Sequence, residues 1–288
     1  MNAALAVRDG FRIGIQSLRD ERVDLALEYR GHALPPWLQG AFLHNGPGVF
    51  EVGQDSFRHL FDGLAMIHGF FLDGRGVRYT NRFLQSPAYV ESRRYGRLCY
   101  SEFATVPRRG LLQRLRAQLP PLSQFGLNNA INVVEKDGAT LAIGDLPTPV
   151  RIDPRTVETL GEYPLEGGGP LLISTPHPLR DPVRREWVNV GLGLGLTGLG
   201  YRIFRVRDGS RRREPIAFIP RAHPTYMHSF ALSDRHIVLT EHPFIPDLLS
   251  LLTMGLTSRG ARPPAAGMPR PDIGSRSTAS TSSATSTP

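Results

Sequence analysis

The chain has 288 residues, 40% of them hydrophobic, a formal net charge of +8 and one cysteine, Cys99. That length buries one large all-β core or two smaller ones, and a lone cysteine excludes an intramolecular disulfide framework and fits a reducing compartment. No stretch approaches the ~18 uninterrupted apolar residues of a membrane span, and Met1 to Leu27 carries charge throughout without an apolar signal core, so the expectation is a cytoplasmic protein.

Lys136 is the only lysine among 34 basic residues. The arginines are scattered and no aromatic run interleaves with them, which argues against nucleic acid. A basic surface with exposed apolar helices suits an anionic membrane face instead.

In chain order, residues 1–30 read as a polar arm. Pro35 and Pro36 set an extended entry, and Trp37 and Leu38 look like anchors to the body. Asn45-Gly46-Pro47-Gly48 and Phe61-Asp62-Gly63 are turn signals between strand-like runs. His44, His59 and His68 lie near these turns, and no two share a recognised metal spacing. Phe70 to Leu72, an Asp73-Gly74-Arg75-Gly76 turn and Val77 to Phe83 predict a hairpin. Leu111, Leu112, Leu115 and Leu119 recur at helical spacing until Pro120-Pro121, predicting a basic amphipathic helix over 109–119, either packed on the surface or lying in a membrane interface.

Strands resume at 130–134 and 140–143, and again at 150–160. A strand every ~8–12 residues points to a sandwich, barrel or propeller rather than a βαβ fold. His177 lies between Pro176 and Pro178, so its backbone is restricted. The glycines at 191, 193, 195, 198 and 200 open no βα unit, hence no dinucleotide fingerprint; they read as a flexible loop or a Gly-rich strand. Runs at 226–232 and 236–241 flank a Ser-Asp turn, which predicts a hairpin with His228 on a strand and able to face inward as a metal ligand, or to sit in the core bonded to a carbonyl.

Five motifs occur together, in order and at plausible spacings over residues 30–250. They are Leu34-Pro35-x-Trp37-Leu38-x-Gly40, Asn45-Gly46-Pro47-Gly48, Phe61-Asp62-Gly63 through His68, Thr175-Pro176-His177-Pro178 and Tyr226-Met227-His228-Ser229-Phe230. In these the chain resembles the carotenoid cleavage oxygenases, which include β-carotene, apocarotenoid and lignostilbene dioxygenases. The resemblance implies a seven-bladed β-propeller with Fe(II) on its axis, held by four histidines, where O2 and an apolar polyene meet and a C=C bond is cleaved to two carbonyls. His177 falls on the first iron ligand of the family and His228 on its second; no catalytic residue beyond the metal ligands is implied. Asp145 stands where the family has a glutamate that orients an imidazole, and Phe103 where it has a tunnel aromatic. The helix at 109–119 and the apolar stretch 244–252 match segments that dip into the membrane interface, implying peripheral membrane contact; no protein partner is implied.

The chain departs from the family after His242, beyond which it has no histidine. From about Thr257 the composition turns to Ser, Thr, Arg and Pro, which predicts a disordered tail over 257–288. Residues 31–256 then form a partial propeller of some four or five blades, if each takes about 40–50 residues. The expectation is a truncated or frameshifted member of the family: a dioxygenase by descent or, alternatively, an inactive fragment that binds membrane or apolar ligand without chemistry. A plain propeller interaction module fits less well, because no Trp-Asp or Gly-His repeat recurs.

Overall fold

The computed structural model describes residues 16–28, 30–31, 34–74, 76–107 and 126–242. The expected helix at 109–119, the apolar stretch 244–252 and the tail 257–288 lie outside the described residues.

Most of the described chain forms three sheets, antiparallel except for one short parallel pair at the edge of the third. The first sheet comprises β1 (Arg22–Leu27), β2 (Gly40–Val49), β5 (Leu64–Leu72) and β6 (Val77–Phe83), in the order β1-β6-β5-β2, and β3 (Glu51–Val52) pairs with β4 (Asp55–Ser56) in a small hairpin between β2 and β5. The second is β10-β9-β8-β7, from β7 (Asn132–Lys136), β8 (Ala139–Ile143), β9 (Val150–Ile152) and β10 (Thr159–Glu162). The third runs β11-β16-β15-β14-β12, with β13 also on β14. Its strands are β11 (Glu166–Gly167), β12 (Leu171–Ser174), β13 (Leu179–Asp181), β14 (Glu186–Gly195), β15 (Gly198–Arg207) and β16 (Arg212–Pro220). A last hairpin pairs β17 (Ala231–Leu232) with β18 (Ile237–Val238).

Among the described residues one α-helix, α1 (Pro87–Tyr95), interrupts the strands, besides a 3-10 turn at Leu60–Asp62. Ser86 caps it by accepting from the Tyr89 N–H, Pro87 occupies the first turn, and Gly96 ends it at φ 62°.

Where ~40–50 residues per blade allow four or five blades over residues 31–256, the described residues hold three blade-like sheets. The first takes the chain from Arg22 to Phe83 because β3–β4 is inserted within it, and no described strand lies between Phe83 and Asn132. Part of the segment read as a polar arm forms β1. Val23, Leu25 and Leu27 alternate, and β1 pairs with the edge of β6 with a bulge at Asp24, whose φ is 58°. The glycine run resolves as a Gly-rich hairpin, β14–β15, in unbroken register from Glu186↔Arg207 to Gly195↔Gly198.

The sheets meet through apolar contacts and a few buried polar ties. Ala65 and Ile67 of the first sheet pack with Ala142, Val150 and Ile152 of the second. Burying the Ile and Val side chains completely contributes about 1.5–3 kcal/mol each. Asn45 donates to the carbonyls of Asn129 (2.6 Å) and Asn132 (3.1 Å), joining the first sheet to the second. The second joins the third through Lys136, buried at 5% exposure, whose ammonium donates to the Arg207 carbonyl at 3.0 Å. The sole lysine is thus a structural tie.

Candidate metal centre

The backbone that carries His177 is fixed from three sides. As the chain leaves β12, the Thr175 N–H donates to the Val190 carbonyl (2.8 Å), its hydroxyl donates to Asn189 Oδ1 (2.6 Å), and Asn189 Nδ2 donates back to the Thr175 carbonyl (3.0 Å). Asn132, first residue of β7, then donates from Nδ2 to the Pro176 carbonyl (3.0 Å) and approaches His177 Nδ1 at 3.3 Å. Asn132 Oδ1 accepts from the Val133 N–H (2.8 Å), so its amide is oriented by its own network.

His228 does not lie on a strand, in contrast to the hairpin expectation; only residues 231–232 and 237–238 pair. The segment before them bonds to a side chain instead: the Thr225 N–H donates to the Tyr201 hydroxyl (2.9 Å), and the two hydroxyls lie 3.0 Å apart. Met227 and Phe230 anchor it on the β14–β15 core. Tyr226 and His228, two residues apart, come together: the Tyr226 hydroxyl is 2.8 Å from His228 Nδ1 and also donates to Asp145, 3.1 Å from each carboxylate oxygen. The Ser174 N–H donates to the Asp145 carbonyl at 2.8 Å, stapling this carboxylate beside the strand that leads to His177.

These contacts place the two imidazoles face to edge, with ring centroids 4.8 Å apart, planes at 74° and Nε2 atoms 3.1 Å from each other. Burial holds both rings below the ordinary histidine range, and for His177 the neighbouring His228 adds to it. Burial pushes Asp145 up to about 6, with the Tyr226 hydroxyl pulling the other way. Burial, reinforced by the Asp145 carboxylate, raises the Tyr226 phenol, so it keeps its proton and donates it to Asp145. Its oxygen can then accept from His228 Nδ1–H, which leaves the lone pair of His228 on Nε2, toward His177.

Metal–imidazole bonds of about 2 Å allow one ion to reach both Nε2 atoms. The pair therefore fits two donor positions of a metal site. Among the described residues no group of three or more His, Cys, Asp or Glu side chains converges.

The remaining predicted site residues fall differently. Asp145 does not reach an imidazole directly; its side chain ends one hydroxyl short, and Tyr226 fills the gap. Phe103 joins a second cluster with His59 (centroids 5.4 Å) and Phe61 (6.3 Å). His44 and His68 share no sequence spacing, yet they face each other across β2 and β5, with centroids 5.9 Å apart, and His68 Nδ1 lies 2.7 Å from the Tyr79 hydroxyl. Sequence reasoning missed Tyr226 and Asn132. The signal for Tyr226 was its place two residues before His228 on an extended segment, where side chains share a face; nothing local marks Asn132.

Blade-like meanders joined at a facing pair of imidazoles define an all-β protein of the propeller type. Residues 15–265 match the family described as retinal pigment epithelial membrane protein. The chain is 34% identical over 242 residues to the rice protein "Carotenoid cleavage dioxygenase 8 homolog B, chloroplastic" and 30% identical over 241 residues to the rat protein "Beta,beta-carotene 15,15'-dioxygenase". It superimposes on the cobalt-substituted Synechocystis apocarotenoid oxygenase with a TM-score of 0.71 at 24% identity, covering 89% of this chain and 54% of that one. The chain belongs to the carotenoid cleavage oxygenase family. Its alignments take in 79% of it against 41% of the rice relative, and 77% against 42% of the rat relative, so it spans less than half the length of either.

Proposed function

We propose that the chain serves as a non-haem Fe(II)-dependent dioxygenase that cleaves a C=C bond of a carotenoid or apocarotenoid to carbonyl products, with His177 and His228 as iron ligands. The observation that carries this reading is the 3.1 Å approach of their Nε2 atoms; membership of a family with named carotenoid-cleaving relatives supports it. Two neutral imidazoles suit a borderline divalent cation. Bound Fe(II) would supply open positions for dioxygen and a redox centre beside the alkene.

The chain's own residues prepare that site. Tyr226 holds the proton of His228 on Nδ1, Asp145 holds the phenol in place, and Asn132 together with the Thr175–Asn189 clamp fixes the loop of His177. Phe103, with Phe61 and His59, offers an aromatic surface for the polyene. Leu194 and Leu196, exposed at the β14–β15 tip, are suited to peripheral contact with the membrane that dissolves such a substrate.

Metal analysis after anaerobic Fe(II) loading tests the reading. Near-stoichiometric iron is expected in the wild type and loss of it in both His177→Ala and His228→Ala; background iron in all three proteins overturns the assignment. The convergence of only two donors among the described residues favours a second reading, an apolar-ligand binder without chemistry. That reading predicts background iron together with saturable quenching of protein fluorescence by an apocarotenoid.

A further inference from the structure

The third sheet carries a second feature at its other side. β12, which leads to His177, ends the path β11-β16-β15-β14-β12 opposite β11 and β16. There Gly168, Gly169, Arg202, Arg212, Arg213, Glu214 and Pro215 line an open groove of about 500 Å³.

Its three guanidinium groups have no carboxylate partner among the described residues. Glu214, the only acidic lining residue, gives its oxygens to Arg205 (3.1 Å) and Arg207 (3.2 and 3.3 Å). The terminal nitrogens of Arg202 donate to the carbonyls of Gly168 and Leu194, which carry no charge. The Nε atoms of Arg202 and Arg213 are buried without an acceptor. Phe218 lies 5.1 Å from the Arg202 guanidinium and Phe204 6.0 Å from that of Arg213, contacts that orient the cations without neutralising them. Half-buried positive charge left uncompensated is costly, and an anion in the groove offsets that cost.

The glycine loop makes the convergence sterically feasible. Gly168 and Gly169 sit at φ +76° and +79°; a Cβ on the first would lie 2.8 Å from Arg213 Cβ, and one on the second 2.7 Å from Arg202 Nη1. Side chains there would push the arginines away.

We propose that this groove binds a phosphate-class oxyanion, held by Arg213 and Arg212 with Arg202 behind them. Forked guanidinium donors match tetrahedral oxyanions, where a lysine would present a single point charge. The site is independent of the histidine pair and of any iron it holds.

The test follows the 31P linewidth of inorganic phosphate as the full chain is added at constant ionic strength, alongside flotation with phosphatidylcholine vesicles with and without phosphatidic acid. Arg212→Gln and Arg213→Gln are compared with Arg155→Gln, an exposed arginine on a turn of the second sheet. Saturable phosphate binding weakened at least tenfold in both groove variants, and unchanged in Arg155→Gln, identifies a free phosphate as the source. Flotation dependent on phosphatidic acid with the same pattern, and no binding of free phosphate, identifies a lipid headgroup. Either result supports the site. Absence of both, or equal loss in Arg155→Gln, overturns it. Should Arg213→Gln fail to fold, the exposed Arg212→Gln decides alone.

Discussion

At the scale of single residues, a phenol stands between Asp145 and His228: the Tyr226 hydroxyl touches both. Removing the hydroxyl in Tyr226→Phe leaves Asp145 without its donor and His228 Nδ1 without its acceptor. Loss of an orienting partner of a ligating histidine typically weakens metal binding ~10–100-fold. We expect that loss in anaerobic Co(II) titrations of Tyr226→Phe, with thermal stability lowered by only about 1 kcal/mol; unchanged Co(II) affinity would show the phenol contact to be idle. Asp145 also links stability to pH. Its folded pKa is raised to about 6, so the folded chain binds that proton more tightly than the unfolded chain does. The contribution favours folding below the ordinary carboxylate value of ~4 and is lost as pH rises through 6. In urea unfolding between pH 4 and 6, the stability of wild type relative to Asp145→Asn should fall by about 1.4 kcal/mol per unit.

At the scale of elements, the β14–β15 hairpin explains why its glycines are where they are. A Cβ on Gly191 would meet the Ile173 carbonyl oxygen at 2.6 Å, and one on Gly193 the Pro170 oxygen at 2.2 Å. β12 approaches β14 so closely that its backbone fills the space of side chains, which is why a run read as loop or strand is a strand. Gly193→Ala should therefore cost about 1–3 kcal/mol, the usual range for overpacking, measured by urea unfolding. It should also loosen the loop of His177, which β12 carries. The run 226–232 shows the converse: it reads as a strand, but only Ala231 and Leu232 pair, and just before it Tyr201 takes the Thr225 N–H, a tertiary bond in place of a ladder bond.

At the scale of the molecule, the sheets are joined by buried asparagines that hydropathy does not mark. The Asn129 side chain, 1% exposed, donates to the carbonyls of Thr148 (2.9 Å) and Ala142 (3.4 Å), and its main-chain carbonyl accepts from Asn45. Asn129→Ala removes two hydrogen bonds that its amide donates, each worth about 0.5–1.5 kcal/mol. A cooperative loss of several degrees in Tm is expected, seen equally by near-UV and far-UV circular dichroism; loss of the near-UV signal alone would mean that the sheets separate before they melt.

The sequence by itself determined the all-β class, because turn residues and short apolar alternations are local signals. It also determined the family, because the Thr-Pro-His-Pro and Tyr-Met-His-Ser-Phe motifs are contiguous, and those motifs name His177 and His228 as candidate ligands. Only the tertiary structure decided what those histidines do to each other. The facing Nε2 atoms, the phenol between Asp145 and His228, the amide of Asn132 and the arginines gathered around Gly168 and Gly169 join residues distant in the chain, brought together by sheet packing and not by spacing along the backbone.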